Sequence, residues 1–484
     1  MLAQLGRGVT WTYTSMGISG VLQIGVVAAT ARLLPAEAFG LVAMANVILH
    51  FCSYFAQMGV GRALIQRTQI GDLDVRAAFT SSLLLGLVAS LTVIAVAPAA
   101  AVYYQSEDVI AVMRWLSVSF VVSGIGVTGR ALLQRRLNFR ATGAIEVASY
   151  AFGYAVPTLV LAANGFGVWS LVGGAIGQVT FSTTALVVLT RHSMRPTFRF
   201  DVHRRLLGFG AKVSAISVME FLGSSLDTLV IGRFGTPTQL GLYNRAFMLA
   251  SLPPYQVHHG IAKVLFPVLS SGRSDPREFN RALEAATGSA IKLIMPLGIG
   301  MGLAAPELVR VVLGEAWVEI IPVFAVLAPA LALNLISALP GQALDALGRL
   351  RWKALVQFAY VILLGSALVF AAADAVDLSR IARLIAIGVG LRTVAIFFLT
   401  HQCGAVPRSY LVSTLRTTLV ASAVTSVTFT AVLALLRTLH APLLLTFAAS
   451  LATGGFVLFL LFGRSIVRFW SERSGGRCRG TRHG

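Results

Sequence analysis

The chain has 484 residues, of which 56% are hydrophobic and only 12% charged. A soluble domain is about 45–50% apolar and about 25% charged, so this chain has too little polar surface to cover a water-soluble body of its size. Its 39 Lys and Arg against 19 Asp and Glu leave a net charge of +20. That balance would suggest nucleic acid in a soluble protein, and here it must be read along the chain.

A membrane helix needs about 20 predominantly apolar residues. On that rule the sequence predicts spans near 9–31, 38–58, 77–99, 109–132, 142–163 and 167–190. After a basic stretch, 191–205, come 207–232, 240–268, 285–305 and 320–340, then 353–373, 382–402, 411–436 and 441–463. These make about fourteen spans. Pro322, Pro329 and Pro340 fall in the tenth, and Pro253-Pro254 is expected to break the eighth. Connections of roughly 5–17 residues leave no room for a soluble catalytic domain. The first span is too long for a signal-peptide core and reads as a retained anchor. The Gly/Arg/Ser-rich stretch 471–484 is expected to be disordered. Cys52, Cys403 and Cys478 have neither disulfide-framework nor metal-ligand spacing.

With the first residues placed inside, alternate loops collect about 26 of the basic residues against about 6 in the others. The outer loops gather Glu37, Glu107, Asp108, Glu307, Glu315, Glu319, Asp374 and Asp377 instead. Positive charge in short loops marks the cytoplasmic side. Both termini of this multi-pass chain are therefore expected in the cytoplasm. The excess charge is topology, and no nucleic-acid partner is expected.

The first and seventh spans end alike. Arg32-Leu-Leu-Pro35 leads to Gly40-Leu41, and Arg233-Phe-Gly-Thr-Pro237 leads to Gly241-Leu242, at a constant offset of 201 residues. Both copies run the same way across the membrane, so they are parallel repeats, as in transporters whose substrate binds between lobes. The plan is six spans in 1–205, six in 206–405, two more in 406–465 and a basic tail, 466–484.

Several motifs then point to a family. Arg130-Ala-Leu-Leu-Gln-Arg-Arg-Leu-Asn-Phe-Arg140, followed by Glu146 and by Gly165-Phe-Gly-Val-Trp169, resembles the Wzx-type oligosaccharide flippases. So do Leu240-Gly-Leu-Tyr-Asn-Arg245, Leu313-Gly-Glu-Ala-Trp317 and Ala346-Leu-Gly-Arg349. The resemblance covers about residues 1–465 and is closest to the exopolysaccharide-exporting branch. It implies the fold of the multidrug/oligosaccharidyl-lipid/polysaccharide exporters: all-α and polytopic, two six-helix lobes around a cavity, plus two C-terminal helices that form a lipid-tail groove in related flippases. The implied substrate is an oligosaccharide on undecaprenyl diphosphate, moved by alternating access. Membrane lipids, a polysaccharide polymerase and export machinery are the implied partners.

Such a substrate needs cations for its diphosphate and polar groups for its sugars. Ionisable groups inside spans cost about 2.5–3.5 kcal/mol each on insertion scales and are functional candidates by default. Lys212, Glu220 and Asp227 fall at about 0°, 80° and 60° around the seventh span, on one face. The structural alternative is a Lys–Glu pair near a helix end. Lys212, Arg245, Lys292 and Arg392 are the candidate diphosphate and cavity cations, arginine suiting bidentate phosphate contacts. Glu220 and Asp227 are the candidates for coupling to a proton or sodium gradient, and no cofactor is expected. Asn46, His50 and Gln57, on a stripe of the second span that also holds Ser53, and Tyr150 and Tyr154 beyond Glu146, are candidate sugar contacts. Interhelical hydrogen bonding would explain those stripes equally well, and His50 reads better as a packing histidine than as a proton carrier. The GxxxG spacings Gly173/Gly177 and Gly298/Gly302 suit close helix approach.

Two other readings compete. A cation-coupled drug exporter of the same superfamily would share the fold but not the Arg130–Glu146 and Gly165–Trp169 motifs. A membrane polymerase or ligase would carry a large outer loop or a catalytic constellation, and the sequence has no H-E-x-x-H motif or phosphate-cradling loop.

Overall fold

With no water to satisfy them in hydrocarbon, backbone amides must pair within the segment, so spans of this composition fold as helices. The computed structural model describes the chain apart from residues 1, 58–59, 67–69, 200–220, 222, 272–275, 403–405 and 478–484, and beyond these some side chains within helices, including those of 2–14, 262–264 and 462–477. Among the described residues there is no strand.

In chain order the helices are α1 Leu2–Leu33, α2 Ala36–Gln57, α3 Val60–Gln66, α4 Asp72–Tyr104, α5 Asp108–Arg135, α6 Phe139–Ala148, α7 Val156–Ala163 and α8 Val168–Thr190. They continue with α9 over 223–234, α10 Pro237–Ser271, α11 Pro276–Leu303, α12 Ala305–Leu308, α13 Ile321–Ala346, α14 Leu350–Ala372, α15 Leu378–Gln402, α16 Arg408–Thr438 and α17 Leu443–Arg477. Eleven helices among the described residues are long and apolar enough to cross a membrane. They coincide with the predicted spans except the seventh, which lies mostly outside the described residues, the eighth and the fourteenth. The eighth is the 35-residue helix α10, and the fourteenth holds a shorter apolar stretch, Leu443–Leu458.

Two sequence expectations are corrected. Helix α10 runs unbroken through Pro253-Pro254. A proline removes one intrahelical hydrogen bond, which a membrane helix tolerates when neighbouring groups re-satisfy the freed carbonyl. The basic tail is helical as far as Arg477, so the start of the expected disordered stretch continues α17. The tenth span is likewise one helix, α13, with Pro329 and Pro340 inside it.

The chain divides into two compact units. The first comprises residues 1–245, 312–316 and 357–384; the second comprises 246–311, 317–356 and 385–484. In the first unit α4 and α5 pair through Gly86, set against the Phe120 carbonyl, and Gly124, set against that of Ser82. The Ser90 and Ser117 hydroxyls meet between them at 3.1 Å. A core of Val60, Leu64, Ala77, Ala78, Ala131 and Leu132 seats α3 under this pair, and the Arg135 guanidinium donates to the Leu64 and Ile65 carbonyls at the end of α3. In the second unit α11 is central. Its Leu283, Ile291, Ile294 and Met295 pack with Ile336 and Leu339 of α13 and Tyr410 of α16, and Gly298 and Gly302 lie against the backbone of α13, fulfilling that GxxxG expectation.

Candidate functional site

The repeat motifs meet in the first unit. A Cβ built on Gly40 would overlap the Pro237 carbonyl oxygen, and one built on Gly241 would overlap the Ala36 carbonyl oxygen. Each glycine also lies 3.1 Å, measured from its added Cβ, from the backbone nitrogen of the other. Gly40 and Gly241, and likewise Ala36 and Pro237, are related by the 201-residue offset. The N-terminal turns of α2 and α10 therefore cross with two-fold pseudosymmetry, backbone on backbone.

One turn beyond Gly241 stands Arg245, at 4% relative exposure. Its guanidinium lies over the Phe39 ring, 3.4 Å from the centroid. An Nη2 amine donates to Thr30 Oγ1 at 3.3 Å, and that hydroxyl donates in turn to the Val26 carbonyl at 2.7 Å. Tyr150 and Tyr154 lie within electrostatic reach of Arg245. They stack on each other at 5.3 Å with an interplanar angle of 24°. Both stand on a π-helical turn, Ser149–Ala155, between α6 and α7, and such turns are frequent at functional sites. The turn is pressed onto α8 where Gly153 meets Gly177. Gly177 is thus a close-approach position, whereas a Cβ on Gly173 would meet only the Leu161 side chain.

Asp227, on α9, is 8% exposed. The Tyr243 hydroxyl donates to its Oδ2, and the Thr228 backbone N–H donates to Oδ1 at 2.7 Å. Lys212 and Glu220, expected on the same face, lie outside the described residues, as does the side chain of Gln57. Asn46 is half-buried on α2 and His50 is exposed, with Ser53 Oγ donating to the His50 carbonyl at 2.7 Å. In the second unit Lys292 is half-buried on α11, and Arg392, half-buried on α15, donates to Asn334 Oδ1 on α13. Of the sequence-predicted residues, Arg245, Tyr150 and Tyr154 are brought together. Among the described residues no group of three or more His, Cys, Asp or Glu is arranged to hold a metal.

Residues 29–322 match the family described as "Polysaccharide biosynthesis protein". The chain belongs to that family. Among curated relatives of this polysaccharide biosynthesis protein, the teichuronic acid biosynthesis protein TuaB of Bacillus subtilis is 26% identical over 72% of both chains. The lipopolysaccharide biosynthesis protein WzxC of Escherichia coli is 27% identical over 66% of this chain and 65% of its own. The succinoglycan biosynthesis transport protein ExoT of Rhizobium meliloti is 26% identical over the same shares. Among solved structures, the lipid II flippase MurJ in an inward closed conformation superposes with a TM-score of 0.72, covering 95% of this chain and 99% of its own at 10% identity. An inward-facing MATE family multidrug transporter of the MOP superfamily gives 0.55, covering 81% and 93% at 13% identity. The polysaccharide biosynthesis protein is accordingly a multi-pass helical membrane protein that shares the fold of these two structures.

Sequence reasoning on this family member missed Thr30, Phe39 and Tyr243. Phe39 immediately precedes the repeat glycine Gly40, so its signal was the repeat itself: a residue beside the crossing touches the partner copy. Tyr243 lies inside the motif ending at Arg245, 16 residues from Asp227, and its partner on α9 of the same repeat is read only from the fold. Thr30 carries no such signal. It is read only from the fold, because its hydroxyl faces a helix 215 residues away.

Proposed function

We propose that this chain is a flippase for undecaprenyl-diphosphate-linked oligosaccharide repeat units, carrying them from the inner to the outer leaflet of the bacterial cytoplasmic membrane by alternating access. Residues 1–205 and 206–405 are the two lobes, 406–465 the two additional helices and 466–484 the basic tail, with both termini cytoplasmic. The observation that carries this reading is Arg245, a buried arginine deep in an apolar membrane protein, beside a tyrosine pair and at the crossing of the two repeats. An intramembrane cation is costly to keep unless it serves the substrate path, and guanidinium is the side chain best matched to a phosphate. The names of the relatives, which concern teichuronic acid, lipopolysaccharide and succinoglycan, fit a glycan cargo that reaches the membrane on a lipid.

In this reading Lys212, Arg245, Lys292 and Arg392 serve the diphosphate and the cavity. Tyr150 and Tyr154, with Asn46, His50 and Gln57, meet sugars, since stacked phenols offer both a flat apolar face and a hydroxyl. Asp227 and Glu220 serve coupling. A polymerase and export machinery take the product on the far side. The test is flipping of defined undecaprenyl-diphosphate sugars in proteoliposomes. Arg245→Ala and Arg392→Ala are expected to lower the rate at least tenfold while the parent flips. Equal rates in all three would remove the cation assignment, and no flipping by the parent under any imposed gradient would remove the function.

A further inference from the structure

The crossing of α2 and α10 fixes more than backbone geometry. Phe39 precedes Gly40 by one residue and Arg245 follows Gly241 by one turn, so the contact of the two glycines sets the guanidinium on the ring. Thr30 of α1 receives the N–H beside it. Arg245 is covered there, with 4% of its surface left to solvent. A bulky diphosphate cannot reach a guanidinium so enclosed, and binding an anionic headgroup therefore requires Arg245 to leave this covered position beside Phe39 and Thr30.

We infer that Phe39 and Thr30 are positioning residues that latch Arg245 at the Gly40–Gly241 crossing, and that an anionic headgroup competes with this latch for the cation. The inference rests on the proposed role of Arg245 toward a diphosphate. Its physical content is a population shift. A ligand that binds only the unlatched state has an apparent affinity reduced by the fraction unlatched. Weakening the latch therefore tightens ligand binding, the opposite of what happens when a residue that helps build a site is weakened. The crossing suits such a device, because two glycines meeting backbone to backbone have no interlocked side chains to disengage when they part.

The experiment measures binding of undecaprenyl diphosphate to the full chain in phosphatidylcholine nanodiscs, with uncharged undecaprenol as the control. Phe39 is replaced by mono-, di- and trifluorophenylalanine, which drain the ring's negative face at nearly constant size and so weaken a cation–π contact without disturbing packing. Affinity for the diphosphate is expected to rise stepwise through the series, by up to about tenfold, while undecaprenol binding stays constant. Thr30→Val, which removes the acceptor, is expected to move it the same way by about threefold. An affinity that is unchanged or falls across the series overturns the latch. Arg245→Ala separates the two claims. If it abolishes diphosphate-dependent binding while the fluorinated series is flat, the ligand role stands and the latch fails. If it binds like the parent, the ligand role fails and the latch with it.

Discussion

At Arg245 the sequence and the structure give different halves of one description. The sequence marks a charge inside a span, and the fold adds that this charge is covered by Phe39 and Thr30. Arg245→Lys is expected to leave transport near that of Arg245→Ala, because an ammonium keeps the charge but loses the planar fork that lies on a ring and grips two phosphate oxygens. The measurement is the initial flipping rate in proteoliposomes; recovery to half the parent rate would mean that charge alone suffices. Asp227 makes a second residue-scale case. Its carboxylate accepts from Tyr243 at Oδ2 and from the Thr228 amide at Oδ1; an asparagine keeps a carbonyl oxygen for the Thr228 N–H, and its NH2 can donate to the Tyr243 hydroxyl oxygen instead. Asp227→Asn is therefore expected to fold with less than about 1 kcal/mol of lost stability. Under the proposed coupling role it should make flipping insensitive to imposed proton and sodium gradients. A gradient response equal to that of the parent would take coupling away from Asp227.

At the level of elements, helix positions were legible because a run of about 20 apolar residues has few alternatives in a bilayer, and several of the motifs that carried the resemblance prove to be turns. Gly165 has φ 79° and stops α7 with Phe166 N–H returning to the Leu161 carbonyl at 3.1 Å; Gly348 does the same after α13, with Arg349 N–H bonded to the Leu344 carbonyl at 2.9 Å. Such positions favour glycine. What the sequence could not reveal is the segment after α8, a basic stretch with no periodicity. It is held along α4: the Arg76 guanidinium donates to the Arg195 and Pro196 carbonyls at 3.2 and 3.1 Å, and the Thr197 N–H donates to Thr80 Oγ1 at 3.0 Å. His192 belongs to the strap, its ring edge-on to Phe79 of α4 and bonded to Thr190 Oγ1 at 2.7 Å, and burial pulls its pKa below 6.5. The docked strap thus prefers neutral imidazole, so its stability is present above pH 6.5 and is lost as pH falls through the lowered value. The protection factor of the Thr197 amide, its exchange rate taken relative to the intrinsic rate at each pH, should fall on acidification from pH 7 toward 5, and His192→Gln should abolish that fall. Arg76→Ala should speed exchange there at every pH. A pH-independent protection factor in the parent would exclude the histidine as the cause.

For the molecule as a whole, the 201-residue offset was legible as a short motif, but its consequence was not, because a sequence repeat does not say whether its copies touch. Here they do, at Gly40 and Gly241. The second unit is fastened differently. Its added helix α16 joins α11 at one end and α12 at the other. At one end the Tyr410 hydroxyl donates to Thr287 Oγ1 at 3.0 Å and Ser413 to Glu284 at 2.8 Å. At the other, the Arg437 guanidinium grips Glu307 through Nε and Nη2, both at 2.9 Å. Phe429 fills the notch between, facing Gly300. The Glu307 carboxylate is buried, whereas Arg437 is about half exposed, so the two partners are not equivalent. Removing Arg437 leaves a buried charge without its guanidinium, and Arg437→Ala should cost about 2–3 kcal/mol in thermal unfolding. Removing both in Glu307→Ala/Arg437→Ala should cost less than the sum of the single changes, because the orphaned carboxylate is gone. Strict additivity would mean that the bidentate contact contributes nothing to holding α16 on α12. The pair would then be an exposed ion pair of the ordinary weak kind, and Phe429 packed against Gly300 would be left to seat the helix alone.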